Sequence, residues 1–153
     1  MRISLLSGLL VVGILPFGAL AGDEHRAVAP DQLKWSAPAA LPKGAETAVV
    51  FGDPSKEGYY VLRLRAPAGF KIPAHFHPND ENVTVLSGTL NVGLGDKLDE
   101  TKGEAVTAGD FIQQKAGVNH YAWFTEDTVI QLNSIGPSGI TYVNAADDPR
   151  KTN

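Results

Sequence analysis

The chain has 153 residues, which is enough for one domain with a hydrophobic core of its own. Its formal net charge of −4 gives no reason to expect a nucleic-acid partner. It contains no cysteine, which excludes disulfide bonds, thiolate metal ligands and a lipid anchor on cysteine.

The first 21 residues are typical of a secretory signal peptide. Met1-Arg2 is a short basic start, and residues 3–20 are apolar apart from two serines. Ala19-Leu20-Ala21 then supplies the small residues of a cleavage site before Gly22. We therefore expect a periplasmic or secreted protein that has no membrane attachment after cleavage. The alternative is an uncleaved membrane anchor, which three glycines and a proline within the apolar run disfavour.

The rest of the chain is predicted to form an arm, a barrel and a tail. Residues 22–47 are the N-terminal arm and the segment that leads into the barrel, residues 48–145 form the barrel, and residues 146–153 are a solvated polar tail. Short apolar runs separated by turn residues predict an all-β fold, a sandwich or jelly-roll barrel. The predicted strands are 48–51, 59–66, 82–86, 89–94, 105–107, 110–114, 120–125, 128–135 and 140–143.

Three histidines and one glutamate are the strongest functional signal in the sequence. His75 and His77 are two residues apart, so an extended backbone directs both imidazoles to one side. Glu81 follows beyond Pro78, where the next strand could bring its carboxylate to them, and His120 comes from a distant segment. Imidazole and carboxylate ligands predict a site for a divalent transition metal, which could be iron, manganese or zinc.

The spacing of these residues closely resembles the two sequence motifs of the cupin superfamily. Every position of the first motif is matched, by Gly69, His75, His77, Glu81 and Gly88. The second motif is matched at Gly109, Gly117 and His120, whereas Lys115 replaces a proline and Phe124 replaces an asparagine. The resemblance implies a cupin-type jelly-roll barrel (a double-stranded β-helix) with His75, His77, Glu81 and His120 as metal ligands.

A narrower resemblance concerns the segment before the first motif. Residues 35–45 and 51–54 resemble the start of small single-domain cupins, such as ChrR-type cupin domains and acetylacetone-cleaving dioxygenases. This resemblance implies a small-molecule substrate and a metal-dependent dioxygenase, with iron activating oxygen. Two other interpretations stay open: a non-catalytic module that binds or senses a small molecule, and a metal that only stabilises the barrel. Beyond the ligands, the sequence shows no further acid or base.

Two amides and one aromatic residue are predicted to line the substrate pocket. If Glu126-Asp127 is a two-residue hairpin turn, Gln131 and Asn133 face inward with His120. A three-residue turn would invert this orientation. Alternatively, the amides only satisfy buried backbone groups. The resemblance to the second cupin motif implies that Phe124, in place of the asparagine, shapes the pocket wall. A second tight hairpin is predicted at Ser87-Gly88.

The same hairpin register predicts an apolar outer row. Tyr121, Trp123, Ile130 and Leu132 would all face outward. Such a row requires a cover, which the N-terminal segment or the second subunit of a homodimer could provide.

Overall fold

A computed structural model describes residues 26–151, so the predicted signal peptide and His25 lie outside the described residues. This part of the chain contains ten strands and two short 3-10 helices, Pro30–Gln32 and Ala145–Asp147. Neither helix is long and apolar enough to cross a membrane. The strands are β1 (Glu46–Phe51), β2 (Gly58–Ala66), β3 (Lys71–Phe76), β4 (Glu81–Ser87), β5 (Thr89–Leu94), β6 (Glu104–Thr107), β7 (Phe111–Gln114), β8 (His120–Phe124), β9 (Thr128–Gly136) and β10 (Thr141–Tyr142).

The strands form two five-stranded antiparallel sheets that enclose one main core. The first sheet has the order β1-β2-β9-β4-β7, and the second has the order β10-β3-β8-β5-β6. Alternation along β2 shows how the sequence builds this sandwich: Leu62 and Leu64 face the interior, while the intervening Arg63 faces out. The predicted all-β jelly-roll fold is therefore confirmed.

Both predicted hairpins are wrong, because each of them is a corner between the two sheets. Ser87-Gly88 joins β4 of the first sheet to β5 of the second, and Glu126-Asp127 joins β8 of the second sheet to β9 of the first. The corners contact each other: Thr89 donates its backbone N–H to Thr128 Oγ1 at 3.0 Å. Gly88 has a positive φ of 76°, and a Cβ there would collide with Thr128.

The corner at Glu126-Asp127 also reverses the predicted orientation of β9. Ile130 and Leu132 face the interior, whereas Gln131 and Asn133 lie on the outer face of the first sheet. There Gln131 Oε1 accepts a hydrogen bond from Arg63 Nε at 3.1 Å. Gln131 and Asn133 were expected in the pocket because β9 was assumed to pair with β8. The structure pairs β9 with β2 and β4 instead, so this argument does not hold.

Tyr121 and Trp123 do face outward from β8, as predicted, but the chain itself covers them. Both pack with Ala74 and Leu98 in a second, smaller hydrophobic cluster. The charged loop 95–103 crosses this cluster, and Tyr121 donates its hydroxyl to the backbone carbonyl of Lys102 at 2.9 Å. The apolar row therefore requires neither the N-terminal segment nor a second subunit as its cover.

The two ends of the described chain are fixed to the barrel. Near the N-terminus, the ring of Trp35 lies 4.5 Å from the Arg65 guanidinium, and Leu41 packs against the main core. Near the C-terminus, Asp148 is only 6% exposed, whereas Ala146, Asp147, Arg150 and Lys151 are exposed. Tyr142 links the two ends by donating its hydroxyl to Ala40 O at 2.9 Å.

Candidate metal centre

The three histidines of the two motifs converge at one end of the sandwich. His75 lies on β3 between two neighbours, with His120 of β8 opposite on one side and Tyr142 of β10 on the other. The ring centroid of His75 is 4.9 Å from that of His77 and 4.3 Å from that of His120. Among the described residues, the potential ligand atoms of these three side chains all lie within 4.8 Å of one another.

Backbone carbonyl groups fix the orientation of all three imidazoles. The Nδ1 atoms of His75, His77 and His120 lie 2.6, 2.7 and 3.0 Å from the carbonyl oxygens of Pro73, Gly139 and Val118. A carbonyl oxygen can only accept a hydrogen bond, so each Nδ1 carries the proton. Each Nε2 atom is thereby left with a free lone pair, which is the form in which a histidine binds a metal.

Burial keeps these imidazoles neutral. Loss of hydration lowers the pKa of His75 to about 3, and repulsion from His120 and His77 adds to this effect. Burial likewise lowers the pKa of His120 to about 4 and lowers the pKa of His77. Because a protonated imidazole cannot coordinate a cation, the lowered pKa values favour the ligand form at neutral pH. The site is therefore compatible with metal binding.

Glu81 reaches the same region from the first sheet. It is the first residue of β4, and its Oε2 lies 3.4 Å from His77 Nε2. Burial raises the pKa of the Glu81 carboxyl to about 7. Since His77 is neutral, this contact is not an ion pair at neutral pH. Glu81 is not part of the group of three whose ligand atoms all lie within 4.8 Å of one another.

A cavity of about 430 Å³ opens from the histidines into the barrel. Its wall is mostly aliphatic, with Leu62, Leu64, Val83 and Ile130 among the lining residues. Phe124, predicted as pocket wall, does line the cavity, whereas Gln131 and Asn133 do not. The size and the mostly apolar wall, with a small number of polar groups that include the three histidines, are those of a small-molecule site.

The sequence analysis did not predict several polar residues of the cavity wall, among them Gln114 and Arg150. Gln114 lies on β7 opposite Glu81, is 7% exposed, and its amide has no hydrogen-bond partner among the described residues. Arg150 enters the wall from the C-terminal segment. The alternation of β7 gives a signal for Gln114, because Ile112, two residues earlier, packs against the core. For Arg150, no local sequence pattern indicates a place in the cavity wall.

Lys115, which stands where the second cupin motif has proline, contacts the first motif. Its Nζ lies 2.9 Å from Asp80 Oδ2, and the backbone N–H of Ala116 donates to Asp80 Oδ1 at 2.8 Å. Asp80 immediately precedes Glu81 in the chain. The lysine therefore joins the two motifs by an exposed ion pair in addition to its place in the turn.

The fold and the histidine cluster agree with the comparison with known families. The cupin domain family matches residues 61–136, a range that contains all three histidines and Glu81. The chain belongs to the cupin superfamily. The sequence matches none of the curated proteins with which it was compared.

Known structures share this fold at low sequence identity. The polyketide cyclase RemF from Streptomyces resistomycificus has a TM-score of 0.66 and 18% identity, over 83% of this chain and 91% of that one. A candidate acetylacetone dioxygenase from Methylibium petroleiphilum has a TM-score of 0.60 and 19% identity, over 82% and 85%. A conserved double-stranded β-helix protein from Klebsiella pneumoniae has a TM-score of 0.57 and 23% identity, over 77% and 96%. At these identities the likeness shows the fold alone.

Proposed function

We propose that the protein binds a divalent transition metal and acts on a small, largely apolar molecule in the adjoining cavity. The observation that carries this proposal is the set of three neutral imidazoles, each held through Nδ1 by a backbone carbonyl, at one end of an apolar cavity. The protein orients the donor atoms before a metal arrives, so little side-chain freedom is lost on binding.

Glu81 is proposed as the fourth ligand. Its carboxylate lies in contact with His77, and it comes from the first sheet, whereas His75 and His120 come from the second. Burial without a cationic partner disfavours the ionised carboxyl, and a bound divalent cation would supply the missing positive charge. Imidazole nitrogen and carboxylate oxygen together suit iron, manganese or zinc.

Removing one imidazole tests the metal site. We expect His75→Ala and His120→Ala to abolish tight metal binding, because each variant loses one of three nitrogen donors. The measurement is metal content by elemental analysis after dialysis against a weak chelator. His25→Ala is the matched control, since it removes the histidine outside the two motifs and should leave the metal content unchanged. Full occupancy in both ligand variants would refute the site.

Oxygen-dependent cleavage of the small molecule is the reaction we propose. Iron bound at this site would supply oxygen activation, while the chain's own residues bind the molecule and exclude water from it. The test is oxygen uptake by the iron-loaded protein with a panel of β-diketones and phenols. Uptake that is lost in His120→Ala supports the proposal, and uptake that is equal in the variant contradicts it.

A non-catalytic binding module is the second candidate function, and one observation favours it. Among the described residues that line the cavity, the titratable groups are the three histidines, Glu81 and Arg150. No acid or base independent of the proposed ligands is therefore placed to move a proton during a reaction. Thermal stabilisation by a panel compound without oxygen uptake or product formation would select this function.

Export is proposed on the sequence of residues 1–21, which lie outside the described residues. We propose cleavage after Ala21, which would release the protein to the periplasm or medium. N-terminal sequencing of protein from the extracytoplasmic fraction should begin at Gly22. A protein that retains Met1 and stays with the membrane fraction would favour the uncleaved anchor instead.

A further inference from the structure

We propose that Arg150 binds an anionic group of the cavity's ligand, so that the ligand class is an organic acid with an apolar body. The inference rests on the proposed function, because it concerns the molecule that occupies the same cavity. Among the described residues that line this cavity, Arg150 is the one with a permanent positive charge. The wall is otherwise mostly aliphatic, so this charge distinguishes acids from neutral molecules of the same shape.

Hydrogen bonds orient the Arg150 side chain, which is 43% exposed, at the cavity wall. Its Nε donates to Asp148 Oδ1 at 2.7 Å, and its Nη2 donates to Asp148 Oδ2 at 2.9 Å and to Ile140 O at 3.1 Å. Asp148 itself is 6% exposed, so the carboxylate that orients the guanidinium is anchored in the fold. Because the side chain is already ordered, a ligand that binds it loses less conformational entropy.

One nitrogen of the guanidinium remains available for a ligand. Nη1 has no hydrogen-bond partner among the described residues, while Nε and Nη2 are both engaged. Another polar group of the cavity lining, the Ser55 hydroxyl, is already paired, because its Oγ donates to Asp53 Oδ1 at 2.7 Å. Because Arg150 lines the cavity, an acid bound there can accept a charge-assisted hydrogen bond from Nη1.

A purely structural role predicts different behaviour. If Arg150 only ties the C-terminal segment to Asp148 and Ile140, its loss would affect acids and neutral ligands equally. If Arg150 binds the ligand's anionic group, its loss would affect acids alone. Matched pairs of probes therefore separate the two roles, and we choose benzoate with benzamide and hexanoate with hexanamide.

The experiment is isothermal titration of the metal-loaded protein with these four probes. We expect each acid to bind about tenfold more tightly than its amide, in the range of one charge-assisted hydrogen bond. Arg150→Gln should abolish this preference and leave the affinity for the amides and the metal content unchanged. Lys151→Gln is the matched control, because it removes the same charge from the next residue, which does not line the cavity, and should keep the preference.

Asp148→Asn provides a second variant in case Arg150→Gln fails to fold. It keeps a side-chain oxygen that can accept the hydrogen bond from Arg150 Nε and removes the negative charge that partly neutralises the guanidinium, so the preference for acids should increase. Equal binding of acids and amides by the wild-type protein would overturn the inference alone. An acid preference that persists in Arg150→Gln would place the anion at the metal and would also overturn it. A metal-loaded protein that binds none of a broad panel of small molecules would contradict the proposed function as well.

Discussion

The histidine side chains of the candidate metal centre are neutral, buried and hydrogen-bonded to the backbone. His75 is 3% exposed, and its Nδ1–H donates to the carbonyl of Pro73, two residues earlier in the chain. His120 repeats this arrangement with the carbonyl of Val118. The local backbone that precedes each histidine therefore sets the tautomer, and the free nitrogen points away from it. A ligand set of this kind needs little rearrangement to accept a cation.

These shifted pKa values predict how the stability of the metal-free protein depends on pH. The imidazole pKa values are lowered in the fold, so stability falls as pH falls from about 6.5, where the unfolded chain begins to bind protons. The Glu81 pKa is raised to about 7, so its contribution is lost as pH rises from 4.5 to 7. The combined contribution of three imidazoles is larger than the opposite contribution of one carboxyl. We therefore expect the free energy of unfolding to rise between pH 4.5 and 6.5 by on the order of 1 kcal/mol per pH unit.

Glu81→Gln isolates the opposing contribution of the carboxyl. The Glu81 carboxyl contributes less to the free energy of unfolding as pH rises. Its removal should therefore make the free energy of unfolding increase more steeply between pH 4.5 and 6.5 than in the wild type. His75→Gln should make the increase shallower, since one imidazole fewer opposes protonation. Urea unfolding of the chelator-treated proteins at several pH values measures both slopes. A slope that is unchanged by Glu81→Gln would show that Glu81 titrates normally in the fold.

The sequence predicted the histidine cluster better than the cavity wall, for a physical reason. Two histidines on one extended stretch must lie close together, so His75 and His77 mark a site without knowledge of the fold. Gln114 and Arg150 reach the cavity because distant strands and the C-terminal segment are folded onto it. Their positions depend on long-range pairing, which a local pattern of residues does not contain.

At the scale of strands, alternation was predicted well and pairing was not. The predicted range 89–94 coincides with β5, and 59–66 differs from β2 by one end residue. β3, which carries His75, is not among the predicted strands; it contains Pro73, a residue that is unfavourable within a strand, and its pairing with β8 has a register shift between Ile72 and His75. The corners at Ser87-Gly88 and Glu126-Asp127 have the length of hairpins, so sequence alone does not separate the two arrangements.

The loop that covers β8 gives a prediction at this scale. Tyr121 donates its hydroxyl to the carbonyl groups of Lys102 at 2.9 Å and Asp99 at 3.2 Å, which ties residues 95–103 to the second sheet. We expect Tyr121→Phe to lower the free energy of unfolding by about 1 kcal/mol and to speed hydrogen exchange in this loop. Urea unfolding and amide exchange measured by mass spectrometry provide the two readouts.

Tyr59→Phe is the matched control for the loop variant. Tyr59 is 50% exposed on the outer face of the first sheet, where its hydroxyl accepts a hydrogen bond from Asn133 at 2.5 Å. Its loss should change the free energy of unfolding by less than about 0.5 kcal/mol and leave the exchange of residues 95–103 unaltered. Equal effects of the two substitutions would show that the Tyr121 hydroxyl does not fix the loop.

At the scale of the whole molecule, the candidate metal centre lies where the two sheets meet. His75 and His120 belong to adjacent strands of the second sheet, and Glu81 begins β4 of the first. The Nδ1 atom of His77 is held by Gly139, which precedes β10 at the C-terminal end of the barrel. A cation bound by all four side chains would therefore connect both sheets, and metal binding should stabilise the entire fold.

Zinc, which has no redox chemistry, is a suitable probe of this coupling. A metal that binds only the folded state raises the free energy of unfolding by about 2.7 kcal/mol when its free concentration is 100 times its dissociation constant. We expect this increase for the wild type and for His25→Ala, and none for His75→Ala at the same free zinc. Glu81→Gln should show a smaller increase if the carboxylate is the fourth ligand. Urea unfolding in zinc-buffered and chelator-treated samples measures these differences, and equal stabilisation of His75→Ala and wild type would place the zinc elsewhere in the molecule.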